Sequence, residues 1–147
     1  MEPYDILPDF ELFSQHNKMV GSKDLIGKSA LVIYFYPKDD TPGCTAEACA
    51  FRDQFEDFAD AGARVIGISA DSVESHKQFA EKYQLSFDLL SDPDNKTRNQ
   101  FSVPRSIFGL LPGRLTCVFN KQGRLIHRFN SLFNTKKHIT EALAALR

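Results

Sequence analysis

The feature that most constrains the fold is an unbroken run of apolar, largely β-branched and aromatic residues, ALVIYFY, at positions 30–36. Because such a strand carries apolar side chains on both faces, both faces must be covered, which is typical of a central strand in a largely parallel sheet. Pro37 ends the run, since proline cannot donate to a strand ladder. A helical pattern over 44–61, closed by Gly62, leads to a second buried run, ARVIGIS, at 63–69. The sequence therefore predicts a central β-α-β unit.

The segments on either side of this unit continue the alternation of strands and helices. They comprise a hairpin over 9–13 and 18–21, a helix from Asp71 or Ser72 to Tyr83, a strand over 87–90, a short helix over 94–101, a hairpin over 115–119 and 125–129, and a helix from Thr135. Residues 103–114 form an irregular apolar loop with two prolines and two glycines. With right-handed crossovers, this order predicts an α/β, thioredoxin-like fold with an N-terminal β-hairpin extension and insertions.

Length and charge exclude several functions. A chain of 147 residues without a linker or repeat predicts a single domain over 1–147. Its 18 basic and 19 acidic side chains give a net charge of -1 without a basic stripe, so we expect no nucleic-acid partner and no membrane partner. The run at 30–36 is the longest apolar one, and about 20 residues are needed to span a bilayer. The first five residues lack the apolar region of a signal peptide.

The three cysteines indicate functional free thiols, because an odd number does not form a closed disulfide framework. At about 100° per residue, Cys44 begins a buried helical stripe. The other members of this stripe are Ala48, Phe51, Phe55 and Phe58. Cys49 points about 140° away, and five helical residues separate the two Cα atoms by more than about 7 Å, beyond the reach of a disulfide. If Cys44 and Cys49 bond, the first turn of this helix must unwind.

The position of Cys44 at a helix N-terminus favours its thiolate, because unpaired amides and the helix dipole stabilise a negative charge. The charged residues at 38–40 sum to one negative charge, so a cation must come from elsewhere. Arg114 or Arg105, both in the apolar loop, is the expected source. Acidity alone does little for the rate, since a more stable thiolate is a weaker nucleophile. Hydrogen-bond donors around the sulfur must therefore supply most of the rate.

The segment YFYPKDDTPGCTAEAC at 34–49 resembles the active-site segment of the peroxiredoxins, specifically the bacterioferritin comigratory protein or peroxiredoxin Q subgroup. Pro37, Thr41 and Cys44 match the Pro-x-x-x-Thr-x-x-Cys motif of the family. Cys49 matches the second cysteine of the subgroup. The resemblance extends from the N-terminal LPDF segment to the C-terminal helix, and the apolar loop is most similar to that of plant and cyanobacterial members.

This resemblance implies a thiol-dependent peroxidase that reduces hydrogen peroxide and alkyl hydroperoxides. Cys44 is then the peroxidatic residue, which attacks the peroxide and becomes a sulfenic acid. Cys49 is the resolving residue, which converts this acid into an intrachain disulfide that thioredoxin or a similar dithiol protein reduces. Thr41 and Arg114 orient the peroxide and bind the charge on its leaving oxygen, and Pro37 shields the thiolate.

Glu47 is a supporting candidate, because the family often has a glutamate in the first turn of this helix. The resemblance implies no metal, haem or flavin cofactor. The chain lacks the segments associated with over-oxidation in the dimeric relatives, so we expect a monomer. We expect it in the cytoplasm of a bacterium or cyanobacterium, or in a plastid if a transit peptide has been removed.

Other functions fit parts of the pattern. A thioredoxin-like disulfide oxidoreductase needs a Cys-x-x-Cys pair, which the sequence lacks. A zinc module could use Cys44 and Cys49, but the second half of such a site is missing from the sequence. A cysteine hydrolase needs a histidine base, and the histidines fall in separate elements: His16, His76, His127 and His138. A redox-regulated binding module stays open as an alternative.

Several of the site residues also have ordinary structural interpretations. Thr41 is suited to a turn or a helix cap, and Glu47 to the positive end of a helix dipole. Arg105 replaces Arg114 as the cation if Arg114 is a solvated loop residue. Cys117 lies outside the family pattern, and we expect an inert strand cysteine. The apolar side chains of the loop form either a small core or a rim for organic hydroperoxides and the reductant; they are Ile107, Phe108, Leu110 and Leu111.

Overall fold

The computed structural model describes residues 6–103, 113–131 and 134–146. The strands are β1 Glu11–Ser14, β2 Met19–Gly21, β3 Ala30–Phe35, β4 Ala63–Ser69, β5 Asp88–Ser91, β6 Leu115–Phe119 and β7 Leu125–Asn130. The helices are α1 Ser22–Leu25, α2 Pro42–Asp53, α3 Phe55–Asp60, α4 Val73–Tyr83, α5 Lys96–Gln100 and α6 Thr135–Leu146. Within these ranges, no helix combines the length and the apolar character that crossing a membrane requires.

The observed elements follow the predicted order. β4 and β6 have the predicted bounds, and the other predicted strands differ only at their ends. α1, a single turn, has no counterpart among the sequence predictions. Some predictions concern residues outside the described ranges: the N-terminus over 1–5, Arg105, and the loop residues Ile107, Phe108, Leu110 and Leu111.

The seven strands form one mixed sheet in the order β2-β1-β5-β4-β3-β6-β7. β3 pairs in parallel with β4, and β4 pairs in parallel with β5, which confirms the predicted central unit. β6 and β7 extend the sheet antiparallel on the other side of β3, and the β1–β2 hairpin adds to β5. This is the α/β, thioredoxin-like fold with an N-terminal hairpin that the sequence predicts.

Side chains alternate along β3, so the sheet carries an apolar layer on each face. The layer covered by α2, α4 and α6 contains, among others, Val32, Tyr34, Cys44, Phe51, Phe79 and Ile139. The opposite layer contains, among others, Leu31, Ile33, Phe35, Phe101, Cys117 and Phe119. Burial of both layers is the main favourable contribution to folding, and it holds β3 rigidly at the centre.

The helix predicted over 44–61 is in fact two helices, which is the main error of the sequence prediction. Gln54 separates α2 from α3 with φ -100° and ψ 15°, outside the α-helical region. The residues that follow Gln54 therefore do not continue the periodicity of one unbroken helix. Phe51 and Phe58 are buried as predicted, but Phe55 is 44% exposed and does not belong to the buried stripe.

Candidate active site

Cys44 lies at the start of α2, where the chain leaves the carboxyl end of β3. Thr41 has extended backbone, and Pro42 takes the first helical position, where its fixed φ suits a helix. The amide of Thr45 donates to the carbonyl of Thr41 over 2.8 Å and closes the first turn. This local sequence places the sulfur inside the first turn, at the sheet edge where open α/β sheets bind their ligands.

The N-terminus of α2 retains its positive character. The side chain of the N-cap residue Thr41 makes no capping hydrogen bond, and no acidic residue lies in the first turn of α2. Cys44 is a free thiol and is 2% exposed. The helix dipole is therefore available to a negative charge on this sulfur, and little water screens the interaction.

Arg114, which immediately precedes β6, supplies a cation to this helix start. Its Nη2 donates to Cys44 Sγ over 3.4 Å, and its Nη1 donates to Glu47 Oε1 over 2.5 Å. The residue is 3% exposed, so it is not a solvated loop charge. Gly43 leaves room for it, because a Cβ at that position would lie 3.3 Å from Nη2. One guanidinium thus links the thiol and the carboxylate.

Glu47 is fully buried and lies in the second turn of α2, because the helix begins at Pro42. The sequence prediction of a first-turn glutamate was wrong on this point, and Glu47 is not a solvated partner of the helix dipole. Burial raises the pKa of Glu47 from its ordinary value of 4.5 to about 7, although Arg114 opposes this shift. Its Oε2 accepts no hydrogen bond from the described residues.

Arg114 keeps its positive charge although it is buried. Burial by itself lowers the pKa of Arg114, but the charges of Glu47 and Cys44 outweigh this effect, and the pKa is raised. A fixed positive charge therefore faces the sulfur throughout the physiological pH range.

His138 of α6 lies behind Glu47 and was not predicted as a site residue. Its Nε2 is 2.6 Å from the carbonyl of Ser131, which can only accept, so Nε2 carries the hydrogen. Nδ1 then accepts from the hydroxyl of Thr116 over 2.7 Å. Burial lowers the pKa of His138 to about 4, so the ring is neutral near pH 7. Only the packing of α6 on α2 brings it 3.7 Å from Glu47 Oε2.

Thr41 and Pro37 flank the loop that leads to Cys44. The hydroxyl of Thr41 donates to the carbonyl of Lys38 over 2.9 Å and so closes the loop. The structure therefore places Thr41 beside the site but does not bring its hydroxyl into a hydrogen bond with the sulfur. Pro37 is half-buried at the end of β3.

The remaining cysteines lie on different sides of the molecule. Cys49 is half-buried on α2, and no break in the helix separates it from Cys44. Cys117 pairs with Ile33 across β6 and β3 and is buried in the layer opposite to Cys44. Of the two, only Cys49 shares an element with Cys44.

A second polar cluster lies next to the loop before Cys44. In the described part of the chain, Asp39, Asp71 and His76 are the group whose ligand atoms have the spacing of a metal site, within 4.8 Å of one another. These atoms already bond to one another: His76 Nδ1 lies 2.7 Å from Asp39 Oδ2, and Asp71 Oδ2 accepts from the amide of Asp39 over 2.8 Å. This cluster was not predicted from the sequence. Its signal is that all three residues follow the carboxyl ends of the adjacent parallel strands β3 and β4.

The fold and the site together define a class of protein. A buried thiol at a helix N-terminus, a guanidinium that contacts it and a second thiol on the same helix stand at the edge of a thioredoxin-like sheet. This arrangement is typical of proteins that react through a cysteine thiolate with oxidants or disulfides.

Comparisons with known proteins identify the family within this class. The model of the AhpC/TSA family matches residues 3–128. Chloroplastic peroxiredoxin Q of Sedum lineare is 51% identical over 95% of this chain and 75% of that protein. The Triticum aestivum protein of the same name is 50% identical over 95% of this chain, which spans 64% of the wheat protein's length.

Solved structures agree with these relatives. Peroxidoxin BcpB from Mycobacterium tuberculosis superposes with a TM-score of 0.90 and 37% identity, over 100% of this chain and 97% of that one. Peroxiredoxin Q of Xanthomonas campestris superposes with a TM-score of 0.86 and 31% identity, over 97% of this chain and 96% of that one.

The chain belongs to the AhpC/TSA family, and its relatives are peroxiredoxins of the Q, or bacterioferritin comigratory protein, type. The resemblance carried by residues 34–49 is therefore confirmed, and so is the expected enzyme class, a peroxiredoxin peroxidase.

Proposed function

We propose that the chain acts as a peroxidase with Cys44 as the peroxidatic thiol. The observation that carries the proposal is the guanidinium of Arg114, whose Nη2 contacts Cys44 Sγ while Nη1 is held by Glu47. A cation fixed in this way stands ready for the charge that develops when a peroxide bond breaks. Because it is positioned before the reaction, no reorganisation is needed during the attack.

In the first step, the Cys44 thiolate attacks the hydroxyl oxygen of a hydroperoxide. A sulfur–oxygen bond forms, the oxygen–oxygen bond breaks, and the sulfur is oxidised to a sulfenic acid. The departing hydroxide or alkoxide takes a proton from solvent and leaves as water or an alcohol. Arg114 stabilises the departing charge.

Thr41 and Pro37 have supporting roles in this step. The hydroxyl of Thr41 uses its hydrogen on the carbonyl of Lys38, so its oxygen still accepts a hydrogen bond from an incoming hydroperoxide. Pro37 adds an apolar wall without an amide that would compete for the thiolate. These groups orient the peroxide for the attack.

In the second step, the thiol of Cys49 attacks the sulfenic sulfur of Cys44, a disulfide forms and water leaves. Both residues lie within the helical range Pro42–Asp53, so the start of α2 must unwind first. The weak capping of this turn lowers the cost of unwinding, and the buried ion pair of Glu47 with Arg114 raises it. The balance of these contacts sets the rate of disulfide formation.

A dithiol protein of the thioredoxin type completes the cycle. Its thiolate attacks the Cys44–Cys49 disulfide, forms a mixed disulfide and is itself oxidised as both thiols are restored. We propose hydrogen peroxide and alkyl hydroperoxides as the substrates, in keeping with the peroxiredoxin relatives.

Two further proposals concern the setting of the enzyme. Because both thiols lie on one helix, the intrachain disulfide needs no second copy, which supports action as a monomer. The relatives from Sedum lineare and Triticum aestivum are chloroplastic proteins, which supports a plastid. The cytoplasm of a bacterium or cyanobacterium, which also keeps thiols reduced, is the alternative.

The intact mass after one equivalent of hydrogen peroxide tests the mechanism. The reduced wild type should lose the mass of two hydrogens as the disulfide forms. C49S should instead gain one oxygen on Cys44, and C44S should keep its mass. C117S, the matched control on the other face of the sheet, should behave as the wild type does. Loss of two hydrogens in either C44S or C49S would contradict the assignment.

A further inference from the structure

The loop that leads to Cys44 is held by a buried carboxylate. Asp39 is 8% exposed, and its Oδ1 accepts from the hydroxyl of Tyr36 over 2.6 Å. Its Oδ2 accepts from the hydroxyl of Ser75 over 2.8 Å and lies 2.7 Å from Nδ1 of His76. One side chain therefore ties the loop to the end of β3 and to the first turns of α4.

His76 extends this connection to a third element. The ring is fully buried, and its Nε2 lies 3.0 Å from the carbonyl of Leu90 in β5. Because a carbonyl only accepts, Nε2 carries a hydrogen, and the short contact of Nδ1 with Asp39 Oδ2 requires one further proton between the two atoms. With this proton on either side, the contact is a hydrogen bond within a water-excluded cluster.

The backbone of Asp39 is fixed as well. Its amide donates to Oδ2 of Asp71 over 2.8 Å, and the hydroxyl of Ser69, at the end of β4, donates to the same oxygen over 2.6 Å. Of the partners described, Tyr36 and Asp71 follow the ends of β3 and β4, the others lie on β4, β5 or α4, and none lies on α2. The contacts of Asp39 are therefore independent of whether α2 is folded at its start.

The start of α2 is held by a different set of contacts. Arg114 bonds Cys44 and Glu47 from the side of β6, and unwinding of the helix breaks these bonds. Asp40 lies between the two sets and has φ 56°, in the left-handed region that costs energy for a residue other than glycine. Its carboxylate is exposed, where Lys82 and Tyr83 donate to it.

We propose that the Asp39–His76 pair is the fixed point of the catalytic loop and that Asp40 is the hinge at which α2 unwinds. His76 is then a positioning residue: it holds the chain before Cys44 in place for the attack, and the pair stays intact when the Cys44–Cys49 disulfide forms. The proposal rests on the function proposed above for the two thiols.

Two substitutions of His76 separate its two hydrogen bonds. In H76N the amide nitrogen takes the place of Nδ1 and keeps the bond to Asp39, whereas in H76Q it takes the place of Nε2 and keeps only the bond to Leu90. Rapid quenching after one equivalent of hydrogen peroxide, read by intact mass, gives the rate of attack and the rate of disulfide formation. K77Q, an exposed neighbour on α4, is the control.

We expect H76Q to slow the attack by about tenfold or more, since small displacements of reacting atoms cost this much, without slowing disulfide formation. H76N and K77Q should attack within about threefold of the wild-type rate. A wild-type attack rate in H76Q, an equal loss in H76N, or an equal slowing of both steps would overturn the proposal. If H76Q does not fold, D39N replaces it, because an asparagine has one accepting oxygen and cannot accept from both Tyr36 and Ser75.

Amide hydrogen exchange tests the fixed point without peroxide. The wild type is compared in its reduced form and after oxidation with diamide, which forms the Cys44–Cys49 disulfide whether or not the chain consumes peroxide. The Asp39 amide should stay protected in both forms, while the amides of 44–48 lose protection on oxidation. If the Asp39 amide loses protection on oxidation together with the amides of 44–48, the proposal is overturned. Failure of the proposed peroxidase function would appear separately, as absent oxidation of the wild type by peroxide.

Discussion

Cys44 and Cys117 are two equally buried thiols on opposite faces of one sheet. They are 2% and 0% exposed. Cys44 belongs to the layer beneath α2, α4 and α6, and Cys117 belongs to the other layer, where it stands opposite Ile33 of β3. Burial therefore does not distinguish a thiol suited to chemistry from a structural one.

The two thiols differ in the elements that position them. Cys44 stands at the positive end of a helix and accepts a hydrogen bond from Arg114. Cys117 stands in the middle of a strand, and its side chain is part of an apolar cluster. The comparison therefore points to helix ends and adjacent cations, rather than burial, as the features that favour a reactive cysteine.

The largest expected effect is the loss of activity when Cys44, but not Cys117, is replaced by serine. C44S should abolish peroxide consumption, because a serine hydroxyl is not ionised at neutral pH and cannot be oxidised as the thiolate is. C117S should consume peroxide at the wild-type rate. Both rates are measured as the loss of hydrogen peroxide in the presence of a dithiol reductant. Turnover by C44S, or inactivity of a folded C117S, would reverse the roles assigned to the two thiols.

The second-largest effect concerns the positive charge of Arg114 beside Cys44. R114A should slow the attack on peroxide by about 10²- to 10³-fold, the usual cost of removing a preorganised donor. R114K should fall between R114A and the wild type, since an ammonium keeps the charge but cannot bridge Cys44 and Glu47 in the same way. Stopped-flow measurement of the attack step gives these rates.

Arg105 provides the control for this prediction. R105A should attack peroxide at the wild-type rate, because Arg114 already supplies the cation. A large loss in R105A with little loss in R114A would transfer the role to the other arginine.

The smallest effect concerns stability on the Cys44 side of the sheet. The pKa of Glu47 is about 7 in the folded chain and takes its ordinary value of 4.5 on unfolding. Between these values the folded state holds a proton that the unfolded state has released, so the free energy of unfolding falls as the pH rises from 4.5 to 7. The shift corresponds to a fall of about 3 kcal/mol at most. E47Q should lack this fall.

Urea unfolding of the wild type and of E47Q at pH 5 and pH 8, under reducing conditions, measures the difference. His138, with a folded pKa of about 4, contributes a rise in stability with pH that is common to both proteins and cancels. If the free energy of unfolding changes equally with pH in the two proteins, the pKa of Glu47 is not raised in the folded chain.

Much of the fold follows from local patterns in the sequence. The apolar runs at 30–36 and 63–69 predict β3 and β4, because strands buried on both faces need such runs. The error at Gln54 arose because helical periodicity does not reveal a break at a single residue between two helices. That break also explains the exposed Phe55.

The site was predictable only in part. The spacing of Cys44 and Cys49 on one helix, and hence the need to unwind it, follows from sequence positions and helix geometry alone. The partnership of Arg114 with Cys44 was one of two options, because the sequence does not say which arginine reaches across the fold. The structure brings together these two residues although they lie 70 positions apart.

The alternation of strands and helices, the helix that carries both Cys44 and Cys49, and the family follow from the sequence alone. These depend on residue order and on periodicity over a few turns. Only the tertiary structure decided that Glu47 is buried against Arg114, that Cys117 faces away from Cys44, and that Asp39 meets His76. Such contacts depend on how separate elements pack against one sheet, and the energy that fixes them comes from burial of the whole core rather than from the residues themselves.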